Sequence, residues 1–293
     1  MTGDHVAPPG WYGDPTAPPG WAERYWDGAQ WGSSIRPPTV THEPLVPQPL
    51  AHPGAYDEPQ RSEAPPTFPA AGIWFGLLGW GAAIAWPRVV ELVLSIVGRG
   101  GAATWTAILY VGLFGLMGLA VAGAVKTLGS GSVRADVGLG IARSDIGWAF
   151  IALIGGEMAR TVVGSLFISV GDTDKYVDTV KSFQRGGTLL AVFVLSLLIG
   201  APLFEELLFR GLLLRSLTGR IGFRLALVTQ ALLFGVYHFN AAFGWFNVTL
   251  CLGNAALGYV FGLISTRQRR LAAGMLAHAA ANALALAASF AAS

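Results

Sequence analysis

Ala201-Pro-Leu-Phe-Glu-Glu-Leu-Leu-Phe-Arg-Gly211 sets two carboxylates and a guanidinium inside an apolar run long enough to cross a membrane. An ionised side chain near the centre of a spanning helix costs roughly 2.5–3.5 kcal/mol on insertion scales, so Glu205, Glu206 and Arg210 need partners or a use. Helical spacing supplies one partner. Glu206 and Arg210 are four residues apart and stack on one face as a charge-assisted pair, whereas Glu205 points about 100° away around the helix. No local cation is left for Glu205.

Two further polar sites interrupt the apolar runs downstream. One is Phe234-Gly-Val-Tyr-His238, and the other is His278-Ala-Ala-Ala-Asn282, whose spacing puts imidazole and amide on the same helical face.

Composition agrees with a membrane location. Apolar residues make up 53% of the chain, charged residues 12%, and mean hydropathy is +0.52. A soluble domain carries about a quarter charged residues. The reading is an all-α polytopic membrane protein, a bundle of about seven transmembrane helices with a small cytoplasmic Trp-rich N-terminal module. The formal net charge of +2 gives no footprint for nucleic acid. The one cysteine, Cys251, sits in an apolar stretch and reads as a packed core residue. No signal peptide is expected, since Asp4 and paired prolines stand where an apolar region would be.

Along the chain, residues 1–35 carry Gly10-Trp-Tyr-Gly-Asp-Pro15, Arg24-Tyr-Trp-Asp-Gly28 and Trp31. That aromatic density predicts a small β-type module around an Asp27-Gly28 turn, a candidate to bind a cytoplasmic partner. The pattern resembles a short bacterial domain of unknown function found ahead of transmembrane helices. Residues 36–70 are proline-rich without apolar periodicity, as in a disordered linker. The membrane helical domain is placed at 71–293. Its apolar segments fall at about 72–98, 102–126, 146–170, 188–217, 222–240, 246–266 and 271–291. Each is near or above the roughly 20 residues that span a bilayer. Pro87 is expected to kink the first, with Arg88 and Glu91 pairing beside it, and Gly112, Gly115, Gly118, Gly258 and Gly262 read as close helix packing.

Loop charges predict orientation. Lys126, Arg134 and Arg143 follow the second span, Arg215, Arg220 and Arg224 surround the turn after the fourth, and Arg267, Arg269 and Arg270 follow the sixth. Arg99 stands alone after the first, and the loop at 171–187 mixes Asp172, Asp174 and Asp178 with Lys175, Lys181 and Arg185. The basic loops belong in the cytoplasm, which puts the N-terminus inside and the C-terminus outside.

The set Glu-Glu-x-x-x-Arg, Phe-x-x-x-His and His-x-x-x-Asn, in that order on successive helices, resembles the CPBP (Abi) family of intramembrane endopeptidases. That family includes type II CAAX prenyl endopeptidases and bacterial proteins linked to bacteriocin immunity. The resemblance covers about 188–291. It implies that Glu205 and His238 activate water while His278 and Asn282 stabilise the oxyanion.

The residues support the same division independently. Arg210 occupies Glu206, leaving Glu205 free to exchange a proton with water, as peptide hydrolysis requires of a general acid/base. His278 and Asn282 can both donate from one face to a developing oxyanion. Each side chain taken alone would serve as a polar tether between helices, so the reading rests on the set. Glu206 and Arg210 are assigned a supporting or substrate-binding part. No cofactor is favoured. Zinc is the alternative, with Glu205, His238 and His278 as ligands, although the chain lacks His-Glu-x-x-His. Expected partners are the lipid bilayer and a membrane protein or peptide substrate. The competing class is a non-catalytic immunity factor or transporter using the same buried polar residues.

Overall fold

In the computed structural model the described residues are 7–17, 22–37, 64–98, 101–167, 178, 181 and 187–291. Most of the proline-rich stretch, Arg99 and most of the mixed-charge loop before residue 187 lie outside them. The chain divides into two compact units, residues 1–61 and 62–293.

In the first unit, strands β1 (Gly10–Gly13), β2 (Glu23–Trp26) and β3 (Trp31–Arg36) form an antiparallel sheet in that order. The expected turn is present: the Asp27 carboxylate accepts from the backbone N–H groups of Ala29 and Gln30, both at 2.7 Å, and Gly28 takes φ +99°. Those two N–H groups favour the ionised Asp27 and lower its pKa. Edge-to-face rings, Trp11 on Tyr25 and Trp26 on Trp31, supply the apolar contact a sheet this small needs. The Arg36 guanidinium caps Trp11 at 4.4 Å. Arg24 bonds Asp14 at 3.0 Å, and with Thr16 it pulls the Asp14 carboxyl down to about 2.

The second unit is helical: α1 (Gly72–Val97), α2 (Ala102–Leu128), a short α3 (Val133–Val137) and α4 (Ser144–Ser165). There follow a continuous α5 (Gly187–Ile221), α6 (Phe223–Tyr237), α7 (Phe246–Gln268) and α8 (Ala272–Ala291). Six of these are long and apolar enough to cross a bilayer. The fifth expected span differs. As α6 it has 15 residues, about 22 Å at 1.5 Å per residue, and it stops at Tyr237 rather than near residue 240. A 3-10 turn at Ala241–Phe243 then leads into α7. Phe209, Leu212, Leu213, Met117, Phe234 and Phe261 form one buried cluster, so α5 is the central helix.

α5 is not a uniform α-helix. Two π-helical stretches, Ser196–Gly200 and Glu206–Leu213, flank a single α-turn at Ala201–Glu205. Pro202 accounts for part of this. The Ala201 N–H reaches back five residues to the Ser196 carbonyl, and the next donor in that register would be residue 202. Proline has no N–H, so the Leu197 carbonyl is freed from the ladder. The Asn282 amide takes it up, donating at 2.8 Å from α8. π-bulges occur often at functional sites because they turn side chains out of the regular register.

The basic end of the bundle corrects one expectation. Arg215 is not a loop charge: it is buried within α5 and donates to the Asp136 and Arg269 carbonyls at 3.2 and 3.1 Å. Gly138, at φ +79°, accommodates it, because a Cβ there would strike the guanidinium. Arg270 likewise pairs with the buried Asp145 at 2.9 Å, tying the start of α8 to the start of α4.

Packing also begins before α1. Phe68, 5% exposed, donates its N–H to the Arg215 carbonyl at 3.2 Å, and the Ala64 carbonyl accepts from Arg269 at 2.8 Å. The last residues of the proline-rich stretch are therefore part of the membrane unit. Deleting residues up to 61 should leave the thermal stability of the purified membrane unit unchanged. Deleting through Pro69 should lower it by about 3 kcal/mol or more, the usual scale for losing a buried Phe. Equal melting of the two truncations in detergent would rule this out.

Candidate active site

Glu205 ends the α-turn between the two π-stretches, and Glu206 opens the second. Both are buried, at 5% and 0% exposure. The expected pair is present, Glu206 Oε1 lying 3.1 Å from Arg210 Nη1. Arg210 has more support than its own helix provides. Its Nη2 donates to the Gly258 carbonyl on α7 at 3.2 Å, and its guanidinium lies 4.2 Å from the Phe234 ring centroid. Gln230 donates to the same Gly258 carbonyl at 3.1 Å. Gly258 thus has a specific duty beyond close packing: a Cβ would come within 3.1 Å of Arg210 and 2.8 Å of Phe234.

Glu205 is not isolated. His278 on α8 stands between the two carboxylates, with Nε2 3.8 Å from Glu205 Oε2 and Nδ1 3.4 Å from Glu206 Oε1. Gly274, one turn earlier on α8, leaves room for Glu206, whose Oε2 a Cβ would meet at 2.8 Å. Tyr237 lines the same cavity as Glu205 and stands within electrostatic reach of it. Glu205 Oε2 remains buried without a hydrogen-bonding protein partner, as do both Glu206 oxygens by hydrogen-bond geometry.

His238 caps the C-terminus of α6, and its Nδ1 lies 2.9 Å from the Phe234 carbonyl. A carbonyl only accepts, so this contact assigns the proton to Nδ1 and leaves Nε2 as the acceptor. The ring packs edge-on against Phe234 and Tyr237.

Glu205, His238, His278 and Asn282 all line one cavity of about 800 Å³. Glu206 and Arg210 lie behind its wall. The cavity also includes Tyr110, Arg160, Tyr237 and Asn254. Sequence reasoning passed over Tyr237 because it belongs to no motif spacing, although it adjoins His238. Arg160 was signalled by a charge pair, Glu157 and Arg160, inside the third apolar segment.

For zinc, Glu205, His238 and His278 supply suitable donor types. Among the described residues no three His, Cys, Asp or Glu side chains converge as a metal site would need. His238 holds its Nδ1 to a backbone carbonyl, so Nε2 is the ring nitrogen that could take a metal.

The stretch that carries these residues along α5, α6 and α8 is similar to known proteins. Residues 187–284 match the family model of type II CAAX prenyl endopeptidase Rce1-like proteins. The Rce1-like segment opens at the first residue of α5 and closes within α8, so it takes in all six polar residues considered above. The match covers about a third of the chain and is to a family of CAAX-type endopeptidases; the helices around it make the chain a multi-pass membrane protein. Residues 9–44 match a second model, a protein family of unknown function (DUF2510), which covers the three-stranded sheet. No curated protein and no solved structure gave a match to the chain.

Proposed function

We propose that this protein hydrolyses peptide bonds of a membrane-associated protein or peptide inside the α5–α6–α8 cavity. The observation that carries the reading is that Glu205, His238, His278 and Asn282, from three helices, line a single cavity. In the proposed reaction a water lies between Glu205 and His238 Nε2. Its oxygen attacks the scissile carbonyl carbon while its proton passes to Glu205. The carbonyl oxygen becomes an oxyanion and accepts from a ring N–H of His278 and from the second N–H of Asn282. Glu205 then returns the proton to the amide nitrogen, the C–N bond breaks, and an acid and an amine leave. Glu206 with Arg210 anchors α5 behind the Glu205 carboxylate.

The test is hydrolysis of internally quenched apolar peptides by the purified full chain in nanodiscs. Activity is expected to survive exhaustive chelation. Loss with chelator and return with zinc would instead recast Glu205, His238 and His278 as ligands. Absence of any hydrolysis over a broad peptide panel would favour the non-catalytic reading.

We further propose that the basic end of the bundle faces the cytoplasm, with the N-terminus inside and the C-terminus outside. A reporter before Gly10 should then read as cytoplasmic and one after Ser293 as extracytoplasmic. Both reporters on one side would mean that α6 and the chain to Phe246 do not complete a crossing.

A further inference from the structure

In the first unit, Tyr12, Trp26 and Trp31 share one face of the sheet. Trp26 pairs with Trp31 across β2 and β3, and the Trp31 ring meets Tyr12 edge-on at 6.4 Å and Trp26 at 5.2 Å. The chain itself covers part of this face. The Trp26 indole N–H donates to the Ala7 carbonyl at 3.0 Å, and the Tyr12 hydroxyl donates to the Pro8 carbonyl at 2.9 Å. The Pro9 ring then rests on the turn at Gly28, where a Cβ would come within 3.3 Å of it. The seated segment is thus Ala7-Pro8-Pro9. Ala7 and Pro8 each precede a proline, which confines them to extended or polyproline II backbone.

This contact joins matching chemistries. A proline-rich segment offers carbonyl acceptors and few N–H donors on a three-residue period, and its fixed φ makes it cheap to order. An indole N–H only donates, and a phenol can donate beside it. Aromatic grooves take polyproline II segments on these terms. Half of the face is still open. Trp31 is 40% exposed, and Ile35 on the same strand is 54% exposed. Ile35 pairs with Arg24, two residues from Trp26, and so lies on the same side. Among the described residues nothing accepts from the Trp31 indole N–H.

The chain carries a segment suited to that half. It leaves β3 at Arg36, and the family match that covers the sheet runs on to residue 44. Pro44-Leu-Val-Pro47-Gln-Pro49-Leu50 begins there, among residues 38–63 that lie outside the described ones. Pro44 and Pro47 are one polyproline II turn apart and fall on one edge. Residues 37–43 reach about 23 Å when extended at ~3.3 Å each, and β3 is about 20 Å long, so the segment can run back along the strand it leaves. A tether this short gives an effective concentration on the order of millimolar, enough to fill a weak site.

We propose that the Tyr12, Trp26 and Trp31 face is a polyproline-binding site, in which Ala7-Pro8-Pro9 fills one half and the chain's own Pro44–Leu50 stretch docks on Trp31 and Ile35. A carbonyl of that stretch accepts from the Trp31 indole. The site lies wholly within the first unit and does not depend on the peptidase reading.

The test uses the full chain, one copy per nanodisc, with fluorotryptophan in place of tryptophan. The Trp31 fluorine resonance is assigned by its loss in Trp31→Phe. Pro44→Ser/Pro47→Ser/Pro49→Ser is expected to move it toward the position of a solvent-exposed indole while the Trp26 resonance stays in place. A fluorescent peptide of residues 42–51 should bind this triple variant several-fold more tightly than wild type, where the tethered segment competes, and should restore the wild-type resonance. Adding Trp31→Phe, which keeps a ring but deletes the donor, or Ile35→Ser should weaken the peptide by about tenfold. An unmoved Trp31 resonance in the triple variant, no peptide binding, equal binding by triple variant and wild type, or binding that survives both added substitutions would overturn the proposal. A proline-dependent Trp31 shift that needs two copies in one nanodisc would give the docked segment to a neighbouring chain and overturn the assignment to the same chain.

Discussion

Replacing Glu205 by Gln is expected to lower peptide hydrolysis by on the order of 10²–10⁴, the range a general acid/base supplies, with little loss of folded protein. The amide keeps the shape, but it cannot take a proton from water. Glu205 Oε2 has no hydrogen-bonding protein partner, so removing its charge breaks no ion pair of the kind Glu206 makes. Thermal stability in detergent should therefore hold or rise. The measurement is kcat/KM on a quenched peptide together with the melting temperature of the same preparation. Full activity in Glu205→Gln would remove this residue from the chemistry, and parallel loss of activity and stability would reduce it to a structural role.

Glu206→Gln should behave in the opposite way. It leaves Arg210, 1% exposed, as a buried charge without its carboxylate, and breaking one side of such a pair costs about 3–5 kcal/mol. The Gly258 carbonyl and the Phe234 face, which already hold the guanidinium, cannot replace an anion. Protein yield and melting temperature should fall before any specific effect on turnover appears. The double variant Glu206→Gln/Arg210→Met removes both charges and should recover part of the lost stability. A Glu206→Gln protein as stable as wild type but inactive would move Glu206 into the reaction itself.

Much of this site was legible because its spacings are local. The Glu206–Arg210 pair and the shared face of His278 and Asn282 follow from four-residue spacing alone, and the π-helical turn did not undo the first. Glu205 and His238 converge because α5 and α6 form a hairpin, which the apolar runs on either side of Gly222 already imply. Tyr237 was not legible, since a tyrosine on an apolar helix usually packs as core. His278 was placed correctly on its helix, but its position between both carboxylates depends on how α8 crosses α5, and no spacing within one helix encodes that. Arg215 was read as a loop charge because a basic residue near a turn is most often solvated. Its carbonyl partners come from α3 and the end of α7, remote in sequence. Phe68, an aromatic set among Pro65, Pro66 and Pro69, was a sign that the proline-rich stretch ends in a docked segment.

The two wide turns of α5 also have a consequence for the length of the segment. Hydropathy tolerates many substitutions between Ser196 and Leu213, and a substitution leaves the direction of its neighbours unchanged. A one-residue deletion does something else: inside a wide turn it is absorbed as a five-residue step relaxes to four, but in the α-turn between the two it rotates one side of the helix against the other by about 100°. Glu205 would then face away from His278 while the helix remained as apolar and as well inserted as before. In this segment the number of residues is under tighter constraint than their identity, and the aim of the carboxylate is stored as a count.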